Sequence, residues 1–407
     1  LTVVTRVTPN VRGALDSLEA FLASEAPAFQ KSPSLAQAAA KISVGYTETR
    51  VIDDDAAASV AYLAHFGPRA VVAVSRSIAA LPPGHLFDHV VDVGAGSGAS
   101  ALAWAAAGAQ RITLIDRSEK ALALAKRMLA AVAPSCRVEV RRGHFDEAVI
   151  SSVPEATHVS AAFVLGELAS LAGDRAGSAD DDDDSDGTRC LAMLKRVAPR
   201  ARAVVVVDAG DRPRARRVQR LRDAAVVDGK VVFGPCGHRD PCPALLRERD
   251  WCHDRFEKAL PPGLSAFASL VGRDPALMSA TWLAYGDGAD GAHDIDVADD
   301  SAGDDVVVLG TPRVEKGRVR VPVCGPGGNR FVQVLKRHKD LYQAASALPR
   351  GARVSRSLLP PGAGELVAVT EPSPALTAAF LAAASDANAA NDDADGGQDG
   401  DQPGPSS

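Results

Sequence analysis

The stretch VVDVGAGSGAS, residues 90–100, decides the fold. Its valines read as a short buried strand ending in Asp92. Gly94, Gly96 and Gly98 then alternate, and ASALAWAAAGA begins a helix. Glycine, lacking a Cβ, lets the chain turn tightly and lets its backbone approach a ligand. No Lys-Ser or Lys-Thr follows, so this is not a phosphate-cradling P-loop. The last glycine also comes one residue too early for the dinucleotide pattern GxGxxG. The spacing hydrophobic–Asp–x–Gly–x–Gly–x–Gly remains.

Working outward, strand and helix signals alternate. RITLID and CRVEVRRG read as strands, as do HVSAAFVLGELA and ARAVVVVDAG, and SEKALALAKRMLAAVA reads as a helix capped by Ser118. Such alternation predicts an α/β protein with a doubly wound, Rossmann-like parallel sheet covered by helices on both faces. Residues 1–85 read as a helical region, since VRGALDSLEAFLA and the segment after Asp53–Asp55 repeat apolar residues at helical spacing. The pattern predicts a sheet domain over 86–230. Residues 231–372 follow as a second region with β-like segments DVVVLGTPRVEKGRVRVPVCG and RFVQVLKR. An acidic tail over 373–407 is expected to be mostly disordered beyond ALTAAFLAAA. No apolar run is expected to reach a membrane span.

The spacing at 90–98 resembles motif I of S-adenosylmethionine-dependent methyltransferases. That resemblance implies a cofactor site at Asp92, Gly94, Gly96 and Gly98. Asp116 ends the next strand 22 residues after Gly94 and is placed to accept from ribose hydroxyls. Asp146, after the third strand, is placed near the adenine. A glycine turn in a domain that binds no nucleotide is the plain alternative. No catalytic residue is evident. The segment after the fourth strand, FVLGELAS, lacks an Asn/Asp-Pro-Pro-aromatic motif and offers only Glu167. Neither Cys136 nor Cys190 lies at a strand end suited to a nucleophile.

The second informative stretch is GPCGHRDPCPALLRERDWCH, residues 234–253, which holds three of the six cysteines. Cys236, Cys242 and Cys252 are spaced C-x5-C-x9-C, wider than the C-x2-4-C knuckles usual for zinc. That spacing suits a larger object such as an iron–sulfur cube. Cys324 is the candidate fourth thiolate, about 70 residues further on. Zinc held by three cysteines and His238 or His253 is the rival. Scattered cysteines in this number point to a reducing compartment and metal chemistry.

Charge is strongly segregated. Residues 174–186, 287–305 and 386–401 hold 21 acidic residues against one arginine, so a formal net charge of −6 leaves the remainder at +14. The acidic segments read as solvated loops and a tail. The basic body fits a polyanionic partner such as RNA, or else a dispersed surface charge. Candidate RNA contacts are Arg212, Arg214, Arg216, Arg217 and Arg220, joined by Arg222, in DRPRARRVQRLRD. Lys336, Arg337 and Lys339 in LKRHKDLY are further candidates, and Arg350, Arg353 and Arg356 add a third basic segment. Guanidinium groups pair with phosphate and stack on unpaired bases.

VVDVGAGSG, AAFVLGEL, the Pro-Cys-x-His…Asp-Trp-Cys-His block and VPVCGPGG…VLKRHKDLY together resemble the Rsm-type methyltransferase-like family of the small ribosomal subunit, over residues 1 to about 360. The resemblance implies a class I methyltransferase fold and a [4Fe–4S] cluster on Cys236, Cys242, Cys252 and Cys324. It further implies S-adenosylmethionine as a ligand, and small-subunit rRNA and ribosomal proteins as partners. Neither a membrane nor DNA is among the implied partners. The expected role is assembly of the small subunit, with methyl transfer weak or lost. An active rRNA methyltransferase and a redox-sensing translation regulator are the alternatives. A mitochondrion is the expected compartment, with a bacterial cytoplasm as the alternative. The sequence begins at Leu1, which says nothing about a targeting segment.

Overall fold

The computed structural model describes residues 9–44, 55–144, 147–153, 155–171, 186–257, 259–275, 277–287, 305–360 and 366–392. Three helices lead: α1 (Val11–Glu25), α2 (Pro33–Val44) and α3 (Ala56–Ala79). Asn10 caps α1 by accepting from the Gly13 N–H, and Asp55 caps α3 by accepting from the Ala58 N–H at 2.6 Å. Each oxygen satisfies one of the N–H groups that a helix start leaves without a partner.

The alternating body runs β1 (Val90–Val93), α4 (Ala99–Ala106), β2 (Arg111–Asp116), α5 (Glu119–Val132), β3 (Arg137–Arg142), α6 (Glu147–Ser151), β4 (His158–Ala162), α7 (Leu165–Leu171), α8 (Asp186–Val197), β5 (Ala203–Ala209) and α9 (Arg212–Val227). It continues through β6 (Val231–Gly234), β7 (Asp254–Glu257), α10 (Pro262–Leu270) and β8 (Leu277–Gly286). The strand order is β3-β2-β1-β4-β5-β8-β6, with β7 also on β8. β1 to β5 are parallel, and β8 runs antiparallel to β5, β6 and β7. All four residues of β1 are buried, as a central parallel strand covered on both faces requires. The chain reverses direction across the sheet at β1 and β4, and the glycine turn after β1 lies at this switch point, where doubly wound sheets bind ligands.

α1 to α3 form no separate unit. Leu15, Leu18, Phe21 and Leu22 of α1 and Leu63, Val71, Val74 and Ile78 of α3 share one core with Trp104 of α4 and Leu124 and Met128 of α5. α3 corrects one expectation: it is 24 residues long, with a mean hydropathy of 1.2 over an 18-residue window, enough for a membrane span. Of that window 72% is buried in the protein, so its apolar surface is spent on the core.

Residue 231 is not the end of the sheet domain, because β6, β7 and β8 complete the sheet. A second sheet has the order β13-β9-β11-β12-β14, with β10 on β11. Its strands are β9 (Asp305–Val308), β10 (Arg313–Glu315), β11 (Arg318–Gly325), β12 (Gly328–Leu335), β13 (Arg353–Ser355) and β14 (Leu366–Val369). The helices α11 (Lys339–Ala347) and α12 (Pro374–Asp392) cover it, and Leu376 and Phe380 bring α12 into its core. The expected tail from 373 therefore begins as a packed helix. Alternation along β11 buries Val319, Val321 and Val323 in this core. Pro322 and Cys324 fall on the other face, as side chains two apart along a strand must. The segment after β4, read as strand throughout, turns into α7 at Leu165. Asp146, residues 174–185 and 288–304, and the tail from 393 lie outside the described residues.

Candidate functional site

At the carboxyl end of β1, Gly94, Gly96 and Gly98 all have positive φ, at 68°, 50° and 85°. Two of them serve packing. A Cβ on Gly94 would stand 2.5 Å from Val164, and one on Gly98 would stand 2.8 Å from Ala125. Gly96 alone faces space, with only the Tyr62 ring, at 3.9 Å, near its missing Cβ. Asp116, at the end of β2, accepts from the Gly96 N–H at 2.8 Å and from the Ser118 N–H at 2.8 Å. A carboxylate offers about four lone-pair sites, so Asp116 retains acceptor capacity at the loop. The structure thus brings Gly96 and Asp116 together at one end of the sheet.

Asp92 departs from the expectation. It is fully buried beside Ser100 and Ser160, whose hydroxyls bond each other at 2.6 Å, and neither of its carboxylate oxygens makes a hydrogen bond of good geometry. Burial pushes its carboxyl up to about 7, against the pull of the two serines. It offers no exposed atom to a ligand, so its place is under the loop and not in the cofactor site.

α3 roofs the loop through Tyr62 and through the Ser97 hydroxyl, which donates to the Ser59 carbonyl at 3.2 Å. Nothing local in the sequence links Tyr62 to residue 96; only the packing of α3 does. After β4, Phe163 has φ 60°, a left-handed conformation that costs a non-glycine residue and clusters at functional sites. Glu167 is exposed by area but crowded on its inner side. That desolvation raises its carboxyl pKa, opposed by Arg117, assisted by Asp116 and opposed by His144. Cys136 and Cys190 are free thiols pushed by burial to about 11 and about 12, and so are protonated and unreactive.

The second site is a cavity of about 1070 Å³ where α9 and β8 of the first sheet domain meet β11 and β12 of the second. Cys236, Cys242, Cys252 and Cys324 all line it. Three come from the loop between β6 and β7 and the fourth from the cleft face of β11. Burial raises all four thiols, Cys242 to about 12 and Cys252 to about 11. His238 stays in the wall, its Nε2 3.4 Å from the Cys324 sulfur, and His253 stacks on Trp251.

α9 is what holds this loop. Arg216 donates to the carbonyls of Ala244, Arg247 and Asp250, Gln219 to that of Cys252, and Arg222 to those of His238 and Asp240. These three side chains lie three residues apart on one helix face. All three are buried, as is Arg220. Arg217 pairs with Asp186, Arg214 with Asp211, and Arg212 donates to the Glu248 carbonyl. The helix expected to meet phosphate is thus corrected in part: Arg216, Arg220 and Arg222 face inward. The carbonyl partners of Arg216 and Arg222 lie 16 to 34 residues ahead in sequence, a distance that helical periodicity does not reveal. Lys336, Arg337 and Lys339 are exposed at the far end of β12.

Among the described residues no three His, Cys, Asp or Glu side chains stand close enough to hold a single metal ion. A tetrahedral zinc needs its donor atoms about 2.3 Å from the ion. The four thiols line one cavity, a donor set of the kind that holds iron–sulfur clusters.

The strand order and the glycine loop at its switch point define a doubly wound, Rossmann-like protein. Residues 56–260, half of the chain, match the family described as mitochondrial small ribosomal subunit Rsm22, and the chain belongs to that family. No curated protein matches it. Solved structures with a similar fold include a protein of Pyrococcus horikoshii assigned to the RNA methyltransferases, at 11% identity and a TM-score of 0.31 over 55% of this chain and 83% of that one. Another is magnesium protoporphyrin IX methyltransferase of Synechocystis PCC 6803 with bound SAH, at 12% identity and a TM-score of 0.28 over 49% and 73%. At such scores neither bears on what this chain does.

Proposed function

We propose that the chain is an assembly factor of the mitochondrial small ribosomal subunit that binds its rRNA. It holds S-adenosylmethionine at the glycine loop and a [4Fe–4S] cluster on Cys236, Cys242, Cys252 and Cys324, with methyl transfer weak or lost. Membership of the Rsm22 family supports the ribosomal role. The observation that carries the cluster is the convergence of four thiols, from segments 72 residues apart in sequence, on one cavity between two domains. Such a cluster ties the second sheet to the first and makes metal binding part of folding.

S-adenosylmethionine, when bound, supplies an electrophilic methyl group. Gly96 gives it room and Asp116 offers the acceptor for its hydroxyls. The segment after β4 provides no clear base for a transfer: Phe163 is half-buried, Val164 and Leu165 are buried, and only Glu167 ionises. That poverty favours assembly over catalysis.

Anaerobic purification followed by iron, sulfide and zinc analysis tests the cluster. Near four irons and four sulfides per chain in wild type, with loss in Cys324→Ser, is expected. One zinc, unaffected by Cys324→Ser, would overturn it. Co-sedimentation with small subunits in cells carrying Gly96→Arg separates the roles: normal assembly supports the factor, and failed assembly with lost rRNA methylation supports the enzyme.

A further inference from the structure

The rim of the cysteine cavity has the composition of a nucleic-acid groove. Six arginines line the cavity, Arg222, Arg247, Arg249, Arg313, Arg330 and Arg350, against only Asp250 and Asp254. Arg222 is buried among loop carbonyls, and Asp254 is taken by Arg350. Arg247, Arg249 and Arg313 are exposed. Between them stand two aromatic rings. Trp251 is 39% exposed, yet its plane is fixed: its indole N–H donates to the Gly210 carbonyl at 3.0 Å, and its ring stacks on His253 at 5.8 Å and 19°. Phe331 lies opposite Pro322 in the register of β11 and β12, and both line the cleft. The Arg313 guanidinium sits 5.0 Å over the Phe331 ring.

We propose that this rim is the RNA-binding surface of the chain and takes a single-stranded segment. Arg247, Arg249 and Arg313 hold its phosphates, and Trp251 and Phe331 stack unpaired bases. The proposal rests on the reading of the chain as an rRNA-binding protein and says where on it the RNA lies. Excess positive charge selects a polyanion. Rigid aromatics interleaved with arginine add base stacking, which an acidic protein segment cannot use. The surface is centred apart from Lys336, Arg337 and Lys339. Phe331 lines the cavity, and Lys336 is five residues on, roughly 16 Å along an extended strand, with Arg313, level with Gln333, the rim arginine nearest to it in the sheet.

Fluorescence anisotropy with a labelled, unstructured 12-nucleotide RNA at several salt concentrations tests it on the full chain, purified with its metal content intact. The triple variant R247A/R249A/R313A is expected to lose about tenfold or more in affinity. The slope of log affinity against log salt is expected to become shallower by about 2–3. K336A/R337A/K339A is expected to bind as wild type does. W251A is expected to lose about fivefold or more, and RNA, unlike poly-glutamate, is expected to quench wild-type tryptophan emission. Thermal melts establish that each variant is folded. Wild-type affinity in the rim triple, with loss in the Lys336 triple, would overturn the assignment. So would poly-glutamate binding as tightly as RNA with no effect of W251A, which would make the rim a dock for acidic protein. If wild type binds no RNA at any salt concentration, the rRNA reading itself falls.

Discussion

Arg350 donates from Nη2 to the Cys252 sulfur at 3.7 Å and from Nε to the Asp254 carboxylate. One guanidinium from the second sheet domain thus reaches a thiol of the first. Burial alone would favour the uncharged thiol, and Arg350 works against it. Arg222 does the same for Cys236 from α9. Buried Arg222 and partly buried Arg350 thus each face a thiol of the cavity, and the proposed cluster, negatively charged, would be stabilised by both.

Replacing Arg350 with Met should therefore destabilise the cluster and move its reduction potential to more negative values. Each tenfold change in the reduction equilibrium corresponds to about 59 mV. Redox titration followed by electron paramagnetic resonance measures the shift, and iron content after chelator challenge measures the loss. Arg350→Lys, which keeps the charge, should recover part of both. An unchanged potential in Arg350→Met would show that Arg350 only packs.

The glycines should divide into two kinds. Gly96→Arg places a long side chain in the open space before Tyr62 on a left-handed backbone, so it should abolish S-adenosylmethionine binding at a stability cost of about 1–2 kcal/mol from the backbone alone. Gly98→Ala puts a Cβ 2.8 Å from Ala125 in a left-handed backbone, so it should cost roughly 1–3 kcal/mol of stability. Isothermal titration and thermal melts together separate them.

Asp92→Asn should stabilise the protein at alkaline pH. The folded carboxyl is raised from 3.8 to about 7, so the folded state binds the proton more tightly than the unfolded chain does. The stability this gives is fully present below about pH 4 and is lost as pH rises through about 7. At pH 8 the loss is roughly 4 kcal/mol. The difference in unfolding free energy between Asp92→Asn and wild type should grow between pH 5 and pH 8. A difference independent of pH would place Asp92 in a more polar setting than its burial indicates.

His65 gives the opposite slope. It is buried in α3 with neither ring nitrogen hydrogen-bonded, edge-on to Phe66 at 4.5 Å. Burial lowers its pKa to about 3, helped by Arg69 and Arg273. The unfolded chain takes up the proton first, so stability is lost as pH falls from about 6.5 toward 3. At pH 5 the loss is roughly 2 kcal/mol. His65→Phe should match wild type near pH 7 and exceed it at pH 5 in urea unfolding. The same stability deficit at both values would contradict the assignment.

Local sequence determined the glycine loop, the capping residues and the register of the alternating strands and helices. Each depends on neighbours within a few residues: a Cβ-free turn, an oxygen facing the next N–H groups, a repeat of apolar side chains. That the glycine loop and Asp116 follow adjacent parallel strands was legible for the same reason, whereas the Gly96–Asp116 hydrogen bond was not. The clustering of Cys236, Cys242 and Cys252 was plain, and Cys324 could be named as their partner. Only the tertiary structure decided which way α9 faces, because the carbonyls that bury Arg216 and Arg222 belong to a loop that folds back later in the chain. It alone completed the first sheet, since β8 inserts antiparallel between β5 and β6 by long-range pairing. It sank Asp92 beneath the loop that the same four-residue strand presents, and it set Tyr62 over Gly96 and Trp251 on the rim. Those placements follow from how helices and strands distant in sequence fill one another's space, which no local pattern records.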